Sequence, residues 1–445
     1  MMEKVFLAGI YLKNGERKLA DTLNSMQELS RLTETAGGIV VGQNVQQLDK
    51  MDPSTLLGKG KVKELELMAR KKEFTALIID EELRPAQQKN LGELIPAKIL
   101  DRTRLILDIF ARRARSAEGI LQVELAQLSY MLPRITERYG TFEQQVGGIG
   151  TRGPGERKLE VESRHIRDRI SLLKREIDMV KSHRDLVRQR RQEVPMPVVT
   201  ILGYTNAGKS TLLNQLVKLH GHPKEMVYSD DKLFATLDPT TRRIKLPSGR
   251  WALFTDTVGF INKLPHHLVA AFRSTLEETI DADLLIQLAD AADPNLLRQT
   301  QTVTEILQSL VTEGKSFYSK RLMVYNKMDQ VQDDARHRIA QNQKLLSQAT
   351  TSGAAPPLDP LHISAHNGQG LNELLVKVEE FLTRDMIETE IFIPYKKSNI
   401  IESLYQLGRV ENVTHLSRGT RLKIRLVRAH WEKMQKMLLH PEKED

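Results

Sequence analysis

Apolar positions in the first hundred residues follow two alternating spacings. Short apolar runs predict strands, and apolar residues three or four apart predict helices. These predicted elements are, in order, a strand at 5–12, a helix at 18–32, a strand at 37–42, a helix at 61–72, a strand at 75–80, a helix at 85–94 and a strand at 98–101. Because strands alternating with helices are typical of layered α/β folds, we expect a small α/β domain over residues 1–102.

The spacing becomes purely helical in the next segment. Apolar residues three and four apart predict one long helix over 104–132, closed by Pro133, and a second helix over 156–193. Between them, residues 147–155 contain five glycines and a proline, which predicts a loop. We therefore expect residues 103–194 to form a helical hairpin arm with a glycine-rich tip.

A phosphate-binding loop follows the arm. The prolines near 195 end the second helix, and an apolar strand at 198–202 leads into a G-x-x-x-x-G-K-S motif that opens a helix. The glycines let successive N–H groups converge on phosphate oxygens at a helix N-terminus. Lys209 is expected to reach the β- and γ-phosphates and Ser210 to hold Mg²⁺. The expected contacts are Gly203, Tyr204, Thr205, Asn206, Ala207, Gly208, Lys209, Ser210 and Thr211.

Two later segments have the order expected of a GTPase. The strand at 250–255 ends in Asp256-Thr257-Val258-Gly259, where Asp256 can hold Mg²⁺ through water and the Gly259 N–H can sense the γ-phosphate. Residues 234–241 lie between the phosphate loop and this motif and contain threonines that could complete the Mg²⁺ coordination. The residues alone leave open which of Thr236, Thr240 and Thr241 does so.

The base is identified by a strand followed by Asn326-Lys327-Met328-Asp329. The Asp329 carboxylate matches the two adjacent donors of guanine, and adenine would leave it unpaired. A further strand leads into Ser364-Ala365-His366, which supplies the last loop around the base. We therefore expect the domain, over 196–385, to bind GTP and GDP and to hydrolyse GTP.

Two residues bear on catalysis. Phe260 stands directly after Gly259, where some small GTPases carry the glutamine that orients water, so unaided turnover should be slow. Asn206 allows two interpretations. It could help to bind K⁺, as in potassium-activated GTPases, or it could bond only to its own loop.

Composition adds limits on the class of protein. There is no cysteine, which excludes disulfides and Cys-ligated metals, and no apolar run approaches the ~18 residues of a membrane span. We expect a cytoplasmic monomer. The net charge is +9; residues 101–195 have 20 basic and 14 acidic side chains, and residues 391–445 have 11 and 6. The basic segments are either ordinary solvated faces or contacts to a polyanion.

The C-terminal segment, 388–445, is expected to form a small basic α/β module. Strands are predicted at 389–395 and 421–427, and a helix at 431–439. The patterning does not identify its target.

Eight segments carry a resemblance to a known family, at 55–61, 101–103, 107–115, 121–128, 148–156, 203–210, 233–238 and 256–260. Through them, and over essentially its full length, the chain resembles the HflX family of translational GTPases. Family members usually have Thr or Ser and then Gln after Pro-Gly-Glu at 154–156, whereas this chain has Arg157-Lys158. The departure adds two positive charges beside the glycine loop.

The resemblance implies a GTPase that binds the large (50S) ribosomal subunit and its RNA, inserts the helical arm toward the peptidyl-transferase region and splits stalled or idle 70S ribosomes. The alternative is an assembly or hibernation factor that binds without splitting. It also implies Mg²⁺ held by Ser210 and Thr236, and catalytic roles for Lys209, Thr236 and Gly259. The first switch would comprise Phe234, Ala235, Thr236, Leu237 and Asp238. An RNA-modifying GTPase is disfavoured because the chain has no cysteine and no recognisable second catalytic centre.

Overall fold

The fold is described from a computed structural model of the chain, which divides into two compact units. The first comprises Met1–Ser182, Asp230–Asp238 and Val258–Thr275, and the second His183–Ser229, Pro239–Thr257 and Leu276–Asp445. The structure describes residues 3–15, 19–139, 154–191, 196–221, 240–263, 282–310, 320–349, 359–384, 386–395, 401, 404, 408–427 and 431. No helix in these ranges is long and apolar enough to cross a membrane.

The first unit contains a four-stranded parallel sheet in the order β2-β1-β3-β4. The central β1 is buried on both faces over most of its length, which is typical of a parallel sheet covered by helices. The strands are β1 (Lys4–Leu12), β2 (Ile39–Leu48), β3 (Ala76–Ile79) and β4 (Lys98–Asp101), and the helices between them are α1 (Leu19–Thr35), α2 (Lys59–Arg70) and α3 (Pro85–Leu94). The expected α/β alternation is therefore present.

Strand β2 is longer than its apolar pattern predicts. The predicted strand covered 37–42, but β2 pairs with β1 from Ile39 opposite Lys4 to Leu48 opposite Leu12. Its second half, Gln43 to Gln47, is mainly amides and is only partly buried. Backbone pairing with β1, rather than burial of side chains, therefore extends this strand.

The prediction of one helix over 104–132 closed by Pro133 is wrong. Two helices occur instead, α4 (Arg102–Arg113) and α5 (Ala117–Tyr139), and Pro133 lies inside α5. The Ser116 hydroxyl accepts a hydrogen bond from the Gly119 N–H at 2.9 Å, so it caps the start of α5. In the turn that contains the proline, Arg134 Nη1 donates to the Tyr130 carbonyl at 2.8 Å.

Helix α6 (Pro154–Arg191) follows α5 and is bonded to it by a side-chain ion pair. Arg169 makes two parallel hydrogen bonds to Glu124, of 2.7 and 2.8 Å, and Leu173 is fully buried. The helix begins at Pro154, two residues inside the segment expected to be a loop, because proline suits the first helical position. The rest of the predicted glycine loop, 147–153, lies outside the described residues.

A buried charge cluster lies within the first unit. Arg102 Nη1 binds Asp80 Oδ1 at 2.9 Å, and Lys263 Nζ binds both Asp80 and Glu81, the latter at 2.8 Å. Arg102 also donates to the Asn262 carbonyl at 3.1 Å. Burial raises the pKa of Asp80, but Arg102 and Lys263 outweigh it and hold the pKa below its usual range. The segment after Gly259 is therefore tied to β3 and α4 by charge.

The second unit contains a six-stranded sheet in the order β10-β9-β8-β5-β7-β6. All neighbours are parallel except β6, which runs antiparallel to β7. The strands are β5 (Val198–Gly203), β6 (Thr240–Lys245), β7 (Trp251–Asp256), β8 (Leu284–Asp290), β9 (Arg321–Asn326) and β10 (Leu361–His362). The helices are α7 (Lys209–His220), α8 (Leu296–Leu310), α9 (Asp333–Ala349) and α10 (Leu371–Thr383). The sheet's apolar side chains and those of α7 and α10 form one core.

The C-terminal segment forms a three-stranded antiparallel sheet in the order β11-β13-β12. Its strands are β11 (Met386–Pro394), β12 (Gly408–Leu416) and β13 (Gly419–Val427). The two predicted strands are present, whereas β12 was not predicted, because its alternation is mostly polar and only its pairing with β13 makes it a strand. Of the helix predicted at 431–439, only Trp431 lies within the described residues.

Candidate nucleotide site

The ends of three strands bring the predicted motifs to one edge of the second sheet. Strand β5 ends at Gly203, β7 at Asp256 and β9 at Asn326, and β5 is parallel to β7 and β8, as β8 is to β9. The carboxyl edge of a parallel sheet is where open α/β folds bind ligands. The motifs that were separate in sequence therefore face the same region.

The phosphate loop is closely fitted to its neighbours. A side chain on Gly203 would place its Cβ 2.2 Å from the Leu288 carbonyl oxygen, and one on Gly208 would place it 2.3 Å from Asn326 Nδ2. Gly208 also has φ +91° at the N-cap of α7, in the left-handed region that glycine adopts without strain. Both glycines are required because the backbone itself forms the cradle.

Lys209 is the first residue of α7 and is buried beneath the loop. Its Nζ donates to the Tyr204 carbonyl at 2.9 Å and to the Gly203 carbonyl at 3.3 Å. Burial lowers the pKa of Lys209 to about 8, and the nearby Asp256 carboxylate opposes this shift. The ammonium is therefore poorly compensated in the free protein and gains most from an added anion.

The residues present fit a Mg²⁺ ion. The Ser210 hydroxyl donates to Asp256 Oδ2 at 2.6 Å, and the Asp256 carboxylate is fully buried. Hydroxyl and carboxylate oxygens beside a phosphate cradle are the donor set that Mg²⁺ prefers. Thr257 Oγ1 donates to the Ile201 carbonyl at 2.9 Å, which fixes the end of β7 against β5.

Asn326 links the phosphate loop to the base loop. Its Nδ2 donates to the Ala207 carbonyl at 2.8 Å, and its Oδ1 accepts from the Ala365 N–H at 2.8 Å. Its side chain is almost entirely buried. Asn326 therefore holds two loops in register rather than presenting its amide to solvent.

Asp329 is positioned by the Ser364 hydroxyl. That hydroxyl donates to Asp329 Oδ1 at 2.5 Å, and this bond holds the pKa of the Asp329 carboxyl below its usual range. Asp329 is exposed while Ser364 is buried, so the carboxylate projects from a fixed support. An ionised acceptor held in this way can take both guanine donors.

Lys327 has a partner that the sequence analysis missed. Its Nζ binds Asp290 Oδ2 at 2.7 Å, and Lys327 adopts φ +62°. The available signal was the position of Asp290 at the end of an apolar run, the same placement that identified Asp256. The ion pair holds Lys327 above the strand ends, where a base could stack along its aliphatic stem.

Other predicted residues are distributed as follows. Tyr204, Thr205, Ala207 and Thr211 lie in the loop or the first turn of α7, Met328 follows Lys327, and the His366 carbonyl accepts from Gln215. Val258 and Gly259 belong to the first unit, whereas Asp256 and Thr257 belong to the second. Thr240 and Thr241 lie in β6. Phe234, Ala235, Thr236, Leu237 and Asp238 lie outside the described residues.

Asn206 has an exposed side chain and φ +62°. Within the described residues, its side chain makes no hydrogen bond to its own loop, which was the simpler of its two interpretations. The left-handed backbone accounts for an asparagine here, since asparagine tolerates this region better than most residues.

Comparison with known families matches four consecutive parts of the chain. The family descriptions are GTP-binding GTPase N-terminal for residues 23–111, GTP-binding GTPase Middle Region for 113–191, 50S ribosome-binding GTPase for 198–327 and HflX C-terminal domain for 352–445. A GTPase HflX from Caldanaerobacter subterraneus is 44% identical over 390 residues, covering 88% of this chain and 84% of that protein. The chain belongs to the HflX family of GTPases. The expected family, α/β fold class and GTP hydrolase activity are thereby confirmed.

Further HflX relatives cover the chain almost end to end. GTPase HflX of Escherichia coli K12 is 34% identical, over 93% of this chain and 92% of that protein. GTPase HflX of Akkermansia muciniphila is 35% identical, over 98% of this chain and 97% of that protein. Among solved structures, a GTP-binding protein from Sulfolobus solfataricus in complex with GDP is 25% identical, with a TM-score of 0.45, covering 85% of this chain and 99% of that one.

Proposed function

We propose that this HflX family GTPase binds the large ribosomal subunit and splits stalled or idle 70S ribosomes, with hydrolysis stimulated by the ribosome. The observation that carries the proposal is a guanine-nucleotide site, built from the phosphate loop, Asn326 and the Ser364-supported Asp329, in a chain matched by a 50S ribosome-binding GTPase family. The two basic segments that flank this site would supply contacts to ribosomal RNA.

Stimulation by a partner is expected because of Phe260. Its side chain is 2% exposed and carries no group that can orient water. Unaided turnover is therefore expected at or below the ~10⁻⁴ s⁻¹ of unstimulated switch GTPases. The ribosome would supply the missing contribution, so that hydrolysis follows binding rather than preceding it.

The Mg²⁺ ion would be held by Ser210 and Thr236, with Asp256 acting through water. When bound, it would neutralise developing charge on the phosphates. Among this chain's own residues, Lys209 would bind the β- and γ-phosphates and the Gly259 N–H would sense the γ-phosphate. Asp329 and Asn326 would orient the base and fix the loops around it.

Potassium is a second proposed ion. Asn206 is exposed at the loop and makes no side-chain bond within the described residues, so its amide oxygen is available to a cation. Replacing K⁺ by Na⁺ should then slow turnover. Asn206→Gly keeps the positive φ but removes the oxygen and should abolish the K⁺ effect, whereas Asn206→Asp should retain it. Equal rates in both salts would rule out this role.

Light scattering of 70S ribosomes separates splitting from binding alone. Adding the protein with GTP should lower the scattering, because subunits scatter less than intact ribosomes. A variant with residues 147–153 replaced by a Gly-Ser linker of equal length should bind GTP normally but leave the scattering unchanged. Undiminished scattering with the natural chain, together with co-sedimentation on 50S particles, would favour the assembly or hibernation role instead.

A further inference from the structure

The C-terminal sheet has one apolar and one polar face. Ile391 and Ile393 of β11 and Leu422, Ile424 and Leu426 of β13 are buried together with Leu404. Alternate residues of the same strands point the other way and are exposed or half-buried. The sheet therefore presents a charged outer face, whose rows can be read from the strand register.

One half of this outer face is neutralised internally. Glu388 lies opposite Arg425 and bonds to it at 3.1 Å, and it also pairs with Lys423. Arg425 further binds Glu411 at 2.9 Å, and Lys423 lies 3.9 Å from the same carboxylate. Glu388 and Glu411 thus pair with both bases, and Glu390, opposite Lys423, adds a third acid, so this half offers no excess positive charge to a partner.

The other half combines aromatic rings with an arginine. Phe392, Arg421 and Thr414 form one row across the three strands. Phe392 is 44% exposed and Tyr395, one residue beyond β11, is 51% exposed. Within the described part of the chain, Trp251 is the one other aromatic side chain of comparable exposure. We call the set Phe392, Tyr395 and Arg421 the aromatic–arginine patch.

The rings of this patch are held in place. A Cβ on Gly419 would lie 2.9 Å from Phe392 Cζ, so the ring lies across the glycine in the next row. The Tyr395 hydroxyl donates to the Leu416 carbonyl of β12 at 2.9 Å. Arg421 makes no ion pair with any described carboxylate, unlike Lys423 and Arg425 on the same strand. The patch is therefore preformed, and among the described residues no carboxylate pairs with its arginine.

We propose that the aromatic–arginine patch binds an unpaired segment of RNA, with a base stacked on Phe392 and a phosphate bound by Arg421. Unpaired bases stack on aromatic side chains, and sheet faces that carry such rings are a common RNA-binding surface. The inference deepens the proposed ribosome binding, on which it rests for the source of the RNA.

Charge favours RNA over a protein partner. Exposed aromatics and arginine also occur at protein interfaces. Residues 391–445, however, contain 11 basic and 6 acidic side chains, and Lys396-Lys397 follow Tyr395 directly in the sequence. Arg418, in the turn between β12 and β13, adds a further exposed charge beside the patch. This excess suits a phosphate backbone.

The test uses the full chain and a fluorescent single-stranded RNA of about ten nucleotides carrying 4-thiouridine. Anisotropy gives the affinity, and photo-crosslinking followed by mass spectrometry gives the site. We expect crosslinks at Phe392 or Tyr395. Phe392→Leu should weaken RNA binding about tenfold, as expected for the loss of one stacked base. A separate variant, Phe392→Tyr, keeps an aromatic ring and should bind RNA as the natural chain does. Because no ribosome is present, failure of this test would leave the proposed ribosome splitting standing.

Arg421→Gln and Arg425→Gln form a matched pair, since both remove one positive charge from the same face of β13. Arg421→Gln should weaken RNA binding and reduce, by about one unit, the slope of the logarithm of RNA affinity against the logarithm of salt concentration. Arg425→Gln should change the affinity and this slope little. Unaltered GTP turnover in each variant shows that the chain is folded. The proposal would be overturned if the two substitutions had equal effects or if the RNA crosslinks mapped only to other parts of the chain. It would also be overturned if a crosslinker placed at position 392 labelled only protein in the 50S complex.

Discussion

Lys209 should make the affinity for nucleotide fall as the pH rises above about 8. Burial lowers its pKa to about 8 in the free protein, and a bound triphosphate favours the charged ammonium. Binding above pH 8 must therefore include uptake of a proton. The affinity for GTP should be nearly constant below pH 8 and fall about tenfold between pH 7 and pH 9.

Calorimetry checks this linkage directly. At about pH 8.5 the apparent binding enthalpy should vary with the ionisation enthalpy of the buffer, because a proton is taken up with the nucleotide. Lys209→Ala should bind weakly and lose the pH dependence in this range. An affinity that stays unchanged from pH 7 to pH 9 would contradict the pKa assigned to Lys209.

Substitutions of Asp329 and Ser364 distinguish the residue that recognises the base from the residue that positions it. Asp329→Asn replaces one acceptor oxygen by a donor, so it should reduce GTP affinity by about 10⁴-fold and shift the preference toward xanthosine triphosphate. Ser364→Ala removes the hydroxyl that holds Asp329 and should cost only about 1 kcal/mol, with guanine still preferred. Competition between the two nucleotides in a filter-binding assay measures both effects. A preference for guanine that survives Asp329→Asn would exclude this base assignment.

Among the elements, β3, α4 and the segment 258–263 depend on one buried carboxylate. Asp80→Asn would remove the carboxylate that Arg102 and Lys263 share, while their ion pairs with Glu28 and Glu81 would remain. We expect a loss of about 3 kcal/mol, at the low end for a broken buried pair because those two acids remain. Glu66→Gln, which breaks the exposed pair with Arg70, should cost under about 0.5 kcal/mol.

Hydrogen exchange of the full chain measures this difference locally. Protection at 76–80 and 102–110 should fall in Asp80→Asn and stay unchanged in Glu66→Gln. Because the pKa of Asp80 is lowered on folding, its contribution is fully present above the ordinary carboxyl pKa of 3.8 and is lost as pH falls through the lowered value. Equal protection in the two variants at neutral pH would contradict the role given to this cluster.

Some helices and strands can be predicted from the local sequence, and others cannot. Strand β5, the phosphate loop and α7 are predictable because apolar spacing and two glycines specify them within about twenty residues. The break at Ser116 was missed although residues 111–119 contain no apolar side chain larger than alanine; Ala114 is extended there, and the Ser116 hydroxyl caps the new helix. Strand β2 depends on pairing with β1 across helix α1, and β12 depends on pairing with its hairpin neighbour β13; side-chain patterning records neither.

The site divides in the same way. The placement of Lys209, Ser210, Asp256 and Asp329 beyond the strand ends was predictable because each follows a strand in a motif with its own chemistry. The Lys327–Asp290 ion pair, the Asn326 bridge and the Ser364 support join residues that are between 35 and 119 positions apart. Such contacts require the fold, because no local pattern brings these side chains together.

At the scale of the whole molecule, the D-x-x-G motif crosses from one unit to the other. Asp256 and Thr257 lie in the second unit with the phosphate loop, and the chain enters the first unit at Val258. The four residues after Val258 include Phe260, which is buried, and Asn262, whose carbonyl accepts a hydrogen bond from Arg102. The D-x-x-G motif is therefore divided between the two units, with its aspartate in one and its glycine in the other.

The central claim is that a ribosome completes catalysis at a site that has no water-orienting side chain at Phe260. The most direct test is GTP turnover by the full chain with and without purified 50S subunits. We expect slow turnover alone, at or below ~10⁻⁴ s⁻¹, and stimulation of about 10³-fold or more, as external partners provide for other GTPases. Turnover that is already fast without ribosomes, or that 50S subunits leave unchanged, would contradict the account.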